Sequence, residues 1–134
     1  IEKVNGKALA QLIEAGYAPI FAPITADVAG QLLNTNADTM AQALAIALSD
    51  FYQVNLVYCF EKAGVLRDPK DDDSVIPTIN ASYFEELKAN GTVTAGMIPK
   101  LENALKAISK GVHLVRLCLA DHLLTEDLGT NILP

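Results

Sequence analysis

The sequence predicts an α/β domain built on a largely parallel sheet with helices on both faces. Two observations carry this expectation. Short continuous apolar runs, VNLVYCF (54–60) and VHLVRLCL (112–119), read as strands buried on both sides. These runs alternate with segments of helical periodicity, the order expected of strands joined by crossover helices. The 134 residues contain no internal repeat and no linker-like stretch, so a single domain over 1–134 is expected.

The elements follow in order. Val4, Leu9, Leu12 and Ile13 form a helical stripe that stops at Gly16. YAPIFAPI (17–24) reads as a buried strand, and GQLLN (30–34) as a second strand in a hairpin. TMAQALAIALSD (39–50), rich in Ala and Leu, is a strong helix former. After strand 54–60 comes a charged loop, RDPKDDDS (67–74). Its acidic run lacks the ligand spacing and turn glycine of an EF-hand, so a solvated loop is expected. SVIPTI (74–79) is a short extended piece. SYFEELKAN (82–90) reads as a helix, with Ser82 and Glu85 at capping-box spacing and Gly91 as its stop. A helix over 97–110 ends at Gly111 and leads into strand 112–119. GTNIL (129–133) is expected as a last edge strand.

Composition narrows the function. Apolar residues make up 51% of the chain, ample for a core, and the net charge is −6. An acidic balance speaks against nucleic-acid binding, which needs a basic footprint, but leaves room for a small anion in a local positive pocket. No apolar run approaches the ~20 residues of a membrane span, and no secretory signal is visible. The expectation is a cytoplasmic protein with neither a nucleic-acid nor a membrane partner. Cys59 and Cys118 lie in apolar runs and read as buried, reduced thiols. Neither has His or carboxylate neighbours at ligand spacing, so no metal site is expected. His113 and His122 have no nucleophile to pair with and read as structural. No nucleophile elbow, Walker loop or Rossmann glycine pattern occurs. Ile1 is not a natural initiator and runs directly into a helical pattern, so the chain is expected to be a fragment or a processed form.

The informative residues stand at two helix starts. In AGMIPK (95–100), Pro99 suits a first helical turn, where its missing N–H costs nothing. Lys100 then sits against the positive end of the helix dipole, which is unfavourable unless an anion joins it. NTNAD (34–38) stands between a strand and a helix. Asp38 or Thr39 could serve simply as a cap. Asn34, Asn36 and Asp38 at alternate positions are more than one cap requires, and two carboxamides suit a polar ligand. A lysine at a helix start, with Gly96 permitting close backbone approach, has the makings of a phosphate site. An aspartate holding the ammonium would suit phosphoryl transfer, which needs positioning and charge neutralisation more than a strong base. A lysine so placed can equally be just exposed.

Taken together, LLNTNADTMAQALAIAL (32–48), GVL (64–66), GTVTAGMIPKLENALKAI (91–108) and GT (129–130) resemble the acetylglutamate kinases of the amino acid kinase superfamily. GMIPK with its Ala-rich helix is shared across that superfamily, whereas N-x-N-A-D is closer to the acetylglutamate kinases. The resemblance implies a three-layer α/β/α sandwich and ATP-dependent phosphorylation of the side-chain carboxylate of an N-acyl-glutamate, within arginine biosynthesis. It implies that Lys100 stabilises charge on the transferring phosphoryl group, that Asp38 organises the catalytic lysines, and that Asn34 and Asn36 meet the amino-acid substrate. Nucleotide contacts would come from Glu61, Lys62, Gly64, Val65, Leu66, Thr94, Gly96 and Met97, with Mg2+ held mainly through the nucleotide phosphates.

The sequence also departs from the family pattern. Phe60 and Glu61 replace a Thr/Ser-Asp pair, and Ala95 stands where Gly or Asp is common. The stretch from 118 to 133 is shorter than usual. A second catalytic lysine and a Gly-Gly loop do not appear, since VNGK (4–7) belongs to the first helix. The resemblance therefore covers about the C-terminal half of such an enzyme, its N-terminal lobe being absent. Alternatives are a noncatalytic nucleotide-binding or dimerising fragment, or another superfamily kinase. Self-association into a homo-oligomer is expected.

Overall fold

In the computed structural model, which describes residues 1–93 and 96–134, the last strand of the sequence lies inside the main sheet. Helix α1 (Gly6–Glu14) precedes a hairpin of β1 (Ile24–Ala26) and β2 (Leu32–Asn34). Then follow α2 (Ala37–Leu48), β3 (Asn55–Phe60), β4 (Thr78–Ile79), α3 (Ala81–Ala89), α4 (Ile98–Ser109) and β5 (Leu114–Leu119). A 3-10 turn (Ala120–His122) and β6 (Thr130–Ile132) end the order. The main sheet runs β3-β5-β6-β4. β3 pairs with β5 and β4 with β6 in parallel, and β5 with β6 antiparallel. The α/β class with a mainly parallel sheet is as the sequence predicts, but β6 is central where an edge strand was expected. Its residues explain this: Thr130 and Ile132 are fully buried, which suits a strand with neighbours on both sides.

Strand alternation sorts the two faces. Leu56, Tyr58 and Phe60 of β3, Val115 and Leu117 of β5 and Ile132 of β6 join one core with Leu101, Ala104 and Ala107 of α4 and Ala45 of α2. The alanines on the helices let them sit close to the sheet and to each other. Phe84 and Leu87 add α3 to the same core. On the opposite face the buried Arg116 of β5 donates to the carbonyls of Leu123 (2.6 Å), Thr125 (2.5 Å) and Leu128 (3.3 Å), binding the loop 123–128 to the sheet. On that same face Cys59 of β3 is exposed while its register partner Cys118 is buried. The expectation of two buried thiols holds for Cys118 alone, where burial pushes the thiol pKa up. The three-layer arrangement is therefore partial.

The largest correction concerns YAPIFAPI. Residues 17–23 form no strand, and Ile20 and Phe21 are exposed. Pro19 and Pro23 withdraw two ladder donors, and among the described residues no strand lies beside this segment. Pairing begins at Ile24, opposite Asn34. The hairpin turn is closed by Asp27, whose Oδ1 accepts from the amides of Ala29 and Gln31 at 2.9 Å. Helix starts also differ in detail. Asn5, Asn36 and Asn80 cap α1, α2 and α3, each accepting an amide three residues on. Asn80 thus displaces the expected Ser82–Glu85 capping box, and the Ser82 hydroxyl lies 2.9 Å from its Oδ1. Gly91 (φ +75°) and Gly111 (φ +100°) stop α3 and α4 in the left-handed conformation that glycine tolerates best.

Candidate active site

The N-termini of α2 and α4 meet across the helix layer. Asn36 takes the capping role at α2, its Oδ1 accepting from the Thr39 amide at 3.0 Å and the Thr39 hydroxyl at 3.2 Å. Asp38 is thereby left inside the first turn with its carboxylate available, and Oδ2 receives the Lys100 Nζ at 2.5 Å. Both side chains keep 31% of their surface exposed, so the pair is reachable from solvent. The two charges are not equally placed. Asp38 sits at the positive end of α2, which favours it; Lys100 sits at the positive end of α4, which does not. α4 begins without a side-chain cap, and Pro99 occupies its first turn. Two helix ends and one ammonium thus converge, answered by a single carboxylate, an arrangement suited to an incoming anion.

Two side chains that the sequence did not single out hold this geometry. Gln42, four residues beyond Asp38 on the same face of α2, is buried and donates to the Asn103 carbonyl of α4 at 2.6 Å. Asn103 lies one turn beyond Lys100. The two helices are therefore fixed in register by two rungs, one ionic and one neutral. The Tyr58 hydroxyl, rising from β3, donates to the backbone carbonyl of Asp38 at 3.1 Å. Burial, and then the nearby Asp38 charge, push the Tyr58 pKa up to about 12, so it remains a donor at ordinary pH. A glutamine on an otherwise apolar helix stripe was the available signal for Gln42; nothing in sequence pointed to Tyr58. Thr130, from the GT stretch, is fully buried and acts elsewhere, at the pocket described next.

The two segments expected to touch nucleotide come together. Lys62, Gly64, Val65 and Leu66 line one side of a pocket of about 130 Å³, and Thr92, Val93 and Met97 line another. Typical small-molecule sites begin near ~300 Å³, so this pocket would take only part of a nucleotide. Gly64 is dictated by packing: a Cβ there would stand 2.8 Å from Thr130 Oγ1 and 2.8 Å from Val75 Cγ1. Lys62 pairs with Asp72 of the charged loop at 2.7 Å, and that hydrogen bond and charge raise its pKa. Other acids of the loop serve its own turns: Asp68 and Asp71 accept the amides of Lys70 and Asp73. Glu61 is exposed, outside the pocket lining. Thr94, like Ala95, lies outside the described residues. Gly96 is exposed, and a Cβ there would meet nothing within 4 Å. Met97 lines the pocket one helical turn before Lys100, which joins pocket and ion pair.

Asn34 and Asn36 face a different space, an open cleft of about 600 Å³ that Thr25, Asp27, Thr35 and Thr39 also line. Asn34 ends β2, exposed, and Asn36 keeps its amide NH2 beyond the cap it provides. Among the described residues no three His, Cys, Asp or Glu side chains gather as a metal cage. No described helix is long and apolar enough to cross a membrane.

A family model described as the amino acid kinase family matches residues 1–118. The acetylglutamate kinase of Bacteroides thetaiotaomicron is 52% identical over 132 residues, covering 98% of this chain and 51% of its own length. This chain therefore spans about half the length of the curated relatives it matches. Among solved structures, an N-acetylglutamate synthase of Neisseria gonorrhoeae, complexed with coenzyme A and N-acetyl-glutamate, superposes with a TM-score of 0.86 at 25% identity. It covers 100% of this chain and 32% of its own. A carbamate kinase of Giardia covers 99% of this chain and 48% of its own, with a TM-score of 0.74 at 18% identity, a likeness of fold.

Proposed function

This chain belongs to the amino acid kinase family, and from that premise we propose that it forms the nucleotide-binding half of an acetylglutamate kinase. The reaction is transfer of the γ-phosphoryl group of ATP to the side-chain carboxylate of an N-acyl-glutamate. A carboxylate oxygen attacks phosphorus, the bond to the β–γ bridging oxygen breaks, and an acyl phosphate and ADP result. No proton need move, because the acceptor carboxylate is already ionised at pH 7.

The observation that carries this reading is the Lys100–Asp38 contact between two helix N-termini, one turn from the pocket at Met97. Lys100 would neutralise charge developing on the transferred group and on ADP. Asp38 would orient that ammonium rather than act as a general base. Gly64, Val65, Leu66, Met97 and Lys62 would contact the nucleotide, and the resemblance adds Glu61, Thr94 and Gly96 to that set. Asn34 and Asn36 would meet the acylated amino acid. Magnesium would enter with the nucleotide, held through its phosphates.

The test uses a polypeptide of the relatives' full length that carries this chain. ATP and N-acetylglutamate should give ADP, and hydroxylamine should trap the acyl phosphate as a hydroxamate. Glutamate or carbamate as acceptor should give neither. ADP formation with carbamate but not with N-acetylglutamate would overturn the substrate assignment. The 134-residue chain alone should bind ADP weakly without turnover; turnover near ~10 per second would overturn the division of labour.

A further inference from the structure

Thr130 is fully buried, yet its hydroxyl belongs neither to the pocket lining nor to the sheet ladder. Oγ1 accepts from the Val65 amide at 2.8 Å and donates to the Ile76 carbonyl at 2.7 Å. The Ile76 amide in turn donates to the Val65 carbonyl at 2.8 Å. One hydroxyl of β6 therefore closes a loop of hydrogen bonds around Val65, whose neighbours Gly64 and Leu66 line the pocket with it. The fit is tight on both sides. A Cβ at Gly64 would press on Oγ1 itself, and one at Gly129 would come within 2.5 Å of the Leu117 carbonyl.

We propose that Thr130 is a positioning residue for the nucleotide: its hydroxyl fixes the Gly64–Leu66 wall at the spacing the nucleotide requires, without touching the ligand. The inference rests on the nucleotide-pocket reading given above. A threonine chosen only to fill space would be replaceable by valine, which has the same shape. Here valine would strand a buried amide and a buried carbonyl, and the wall would shift to recover partners.

In the full-length polypeptide, Thr130→Val should weaken ADP–magnesium binding, measured by calorimetric titration, about tenfold. The KM for ATP should rise similarly while the KM for N-acetylglutamate stays within twofold. Thr130→Ser, which keeps the hydroxyl and loses only the methyl group, should hold the ADP affinity within twofold of the parent. A merely structural role would lower the folded, active fraction and leave the affinity of the active molecules unchanged. An equal loss in the serine variant, or unchanged ADP affinity in the valine variant, would overturn the role of the hydroxyl. Failure of the parent polypeptide to bind ADP at all would overturn the nucleotide reading, and this inference with it.

Discussion

Replacing either partner of the Lys100–Asp38 pair should lower turnover strongly but cost very different amounts of stability. The difference follows from where each charge sits. The pair is about one-third exposed, so its direct attraction contributes ~0.5 kcal/mol. Each charge also interacts with its own helix end by ~0.5 kcal/mol, favourably for Asp38 and unfavourably for Lys100. Lys100→Met loses the pair but relieves the conflict with α4, and the two changes nearly cancel. Asp38→Asn loses both the pair and the favourable placement on α2, and leaves an uncompensated ammonium at the start of α4; it should cost ~1 kcal/mol. In the full-length polypeptide that is a midpoint difference of about 2–4 °C by thermal unfolding without nucleotide. Turnover in the coupled ADP assay should fall ~100-fold or more for Lys100→Met, the scale of losing one donor to transition-state charge, while ADP affinity falls much less. Greater destabilisation by Lys100→Met would refute the helix-end argument. Equal losses of turnover and ADP affinity would make Lys100 a ground-state phosphate anchor instead.

Tyr58 should make the fold alkali-sensitive. Its folded-state pKa is raised to about 12, so its contribution is complete below pH 10 and is lost as pH rises towards 12. At pH 11 the loss is ~1.4 kcal/mol, read as a lower urea midpoint than at pH 9, and Tyr58→Phe should remove that component. Gly64→Ala forces a methyl group against Thr130 and Val75. It should destabilise by ~1–3 kcal/mol and weaken ADP binding, whereas Gly96→Ala, in open space, should leave stability unchanged in the same melt. Arg116→Met deprives three loop carbonyls of their donor. Limited proteolysis should then cut within 123–128 at least several-fold faster, and an unchanged rate would show that the loop is held by other contacts.

Local chemistry in the sequence foretold what local chemistry decides. Helix stops at Gly91 and Gly111, the strands 55–60 and 114–119, and the two helix starts were readable because each depends on neighbours a few residues away. The ion pair joins residues 62 positions apart, and it was legible only because both halves stood in stretches with a family likeness. Competition hid the rest. Asn36 outbid Asp38 and Thr39 for the cap, which is a choice between adjacent side chains with similar preferences. The 17–23 segment has the composition of a buried strand, but composition cannot supply the neighbour that a strand needs. Gln42 and Tyr58 act on backbone carbonyls, which leave no mark in a sequence, and the GT stretch marked Thr130 without showing what its hydroxyl holds.

β6 lies between β4 and β5, although Thr78 and its partner Asn131 are about fifty residues apart in sequence. A ribosome adds ~5–20 residues per second, so β4 waits ~3–10 s for the strand that completes its ladder. Ile79 waits through that interval, and Val115 and Leu117 join it once β5 is made; until β6 follows, these residues, all destined for full burial, have no strand between them. The nascent chain therefore passes through a stage with two incomplete sheet edges and an uncovered apolar face, the form of the polypeptide that a chaperone would hold and that crowding would drive to aggregate.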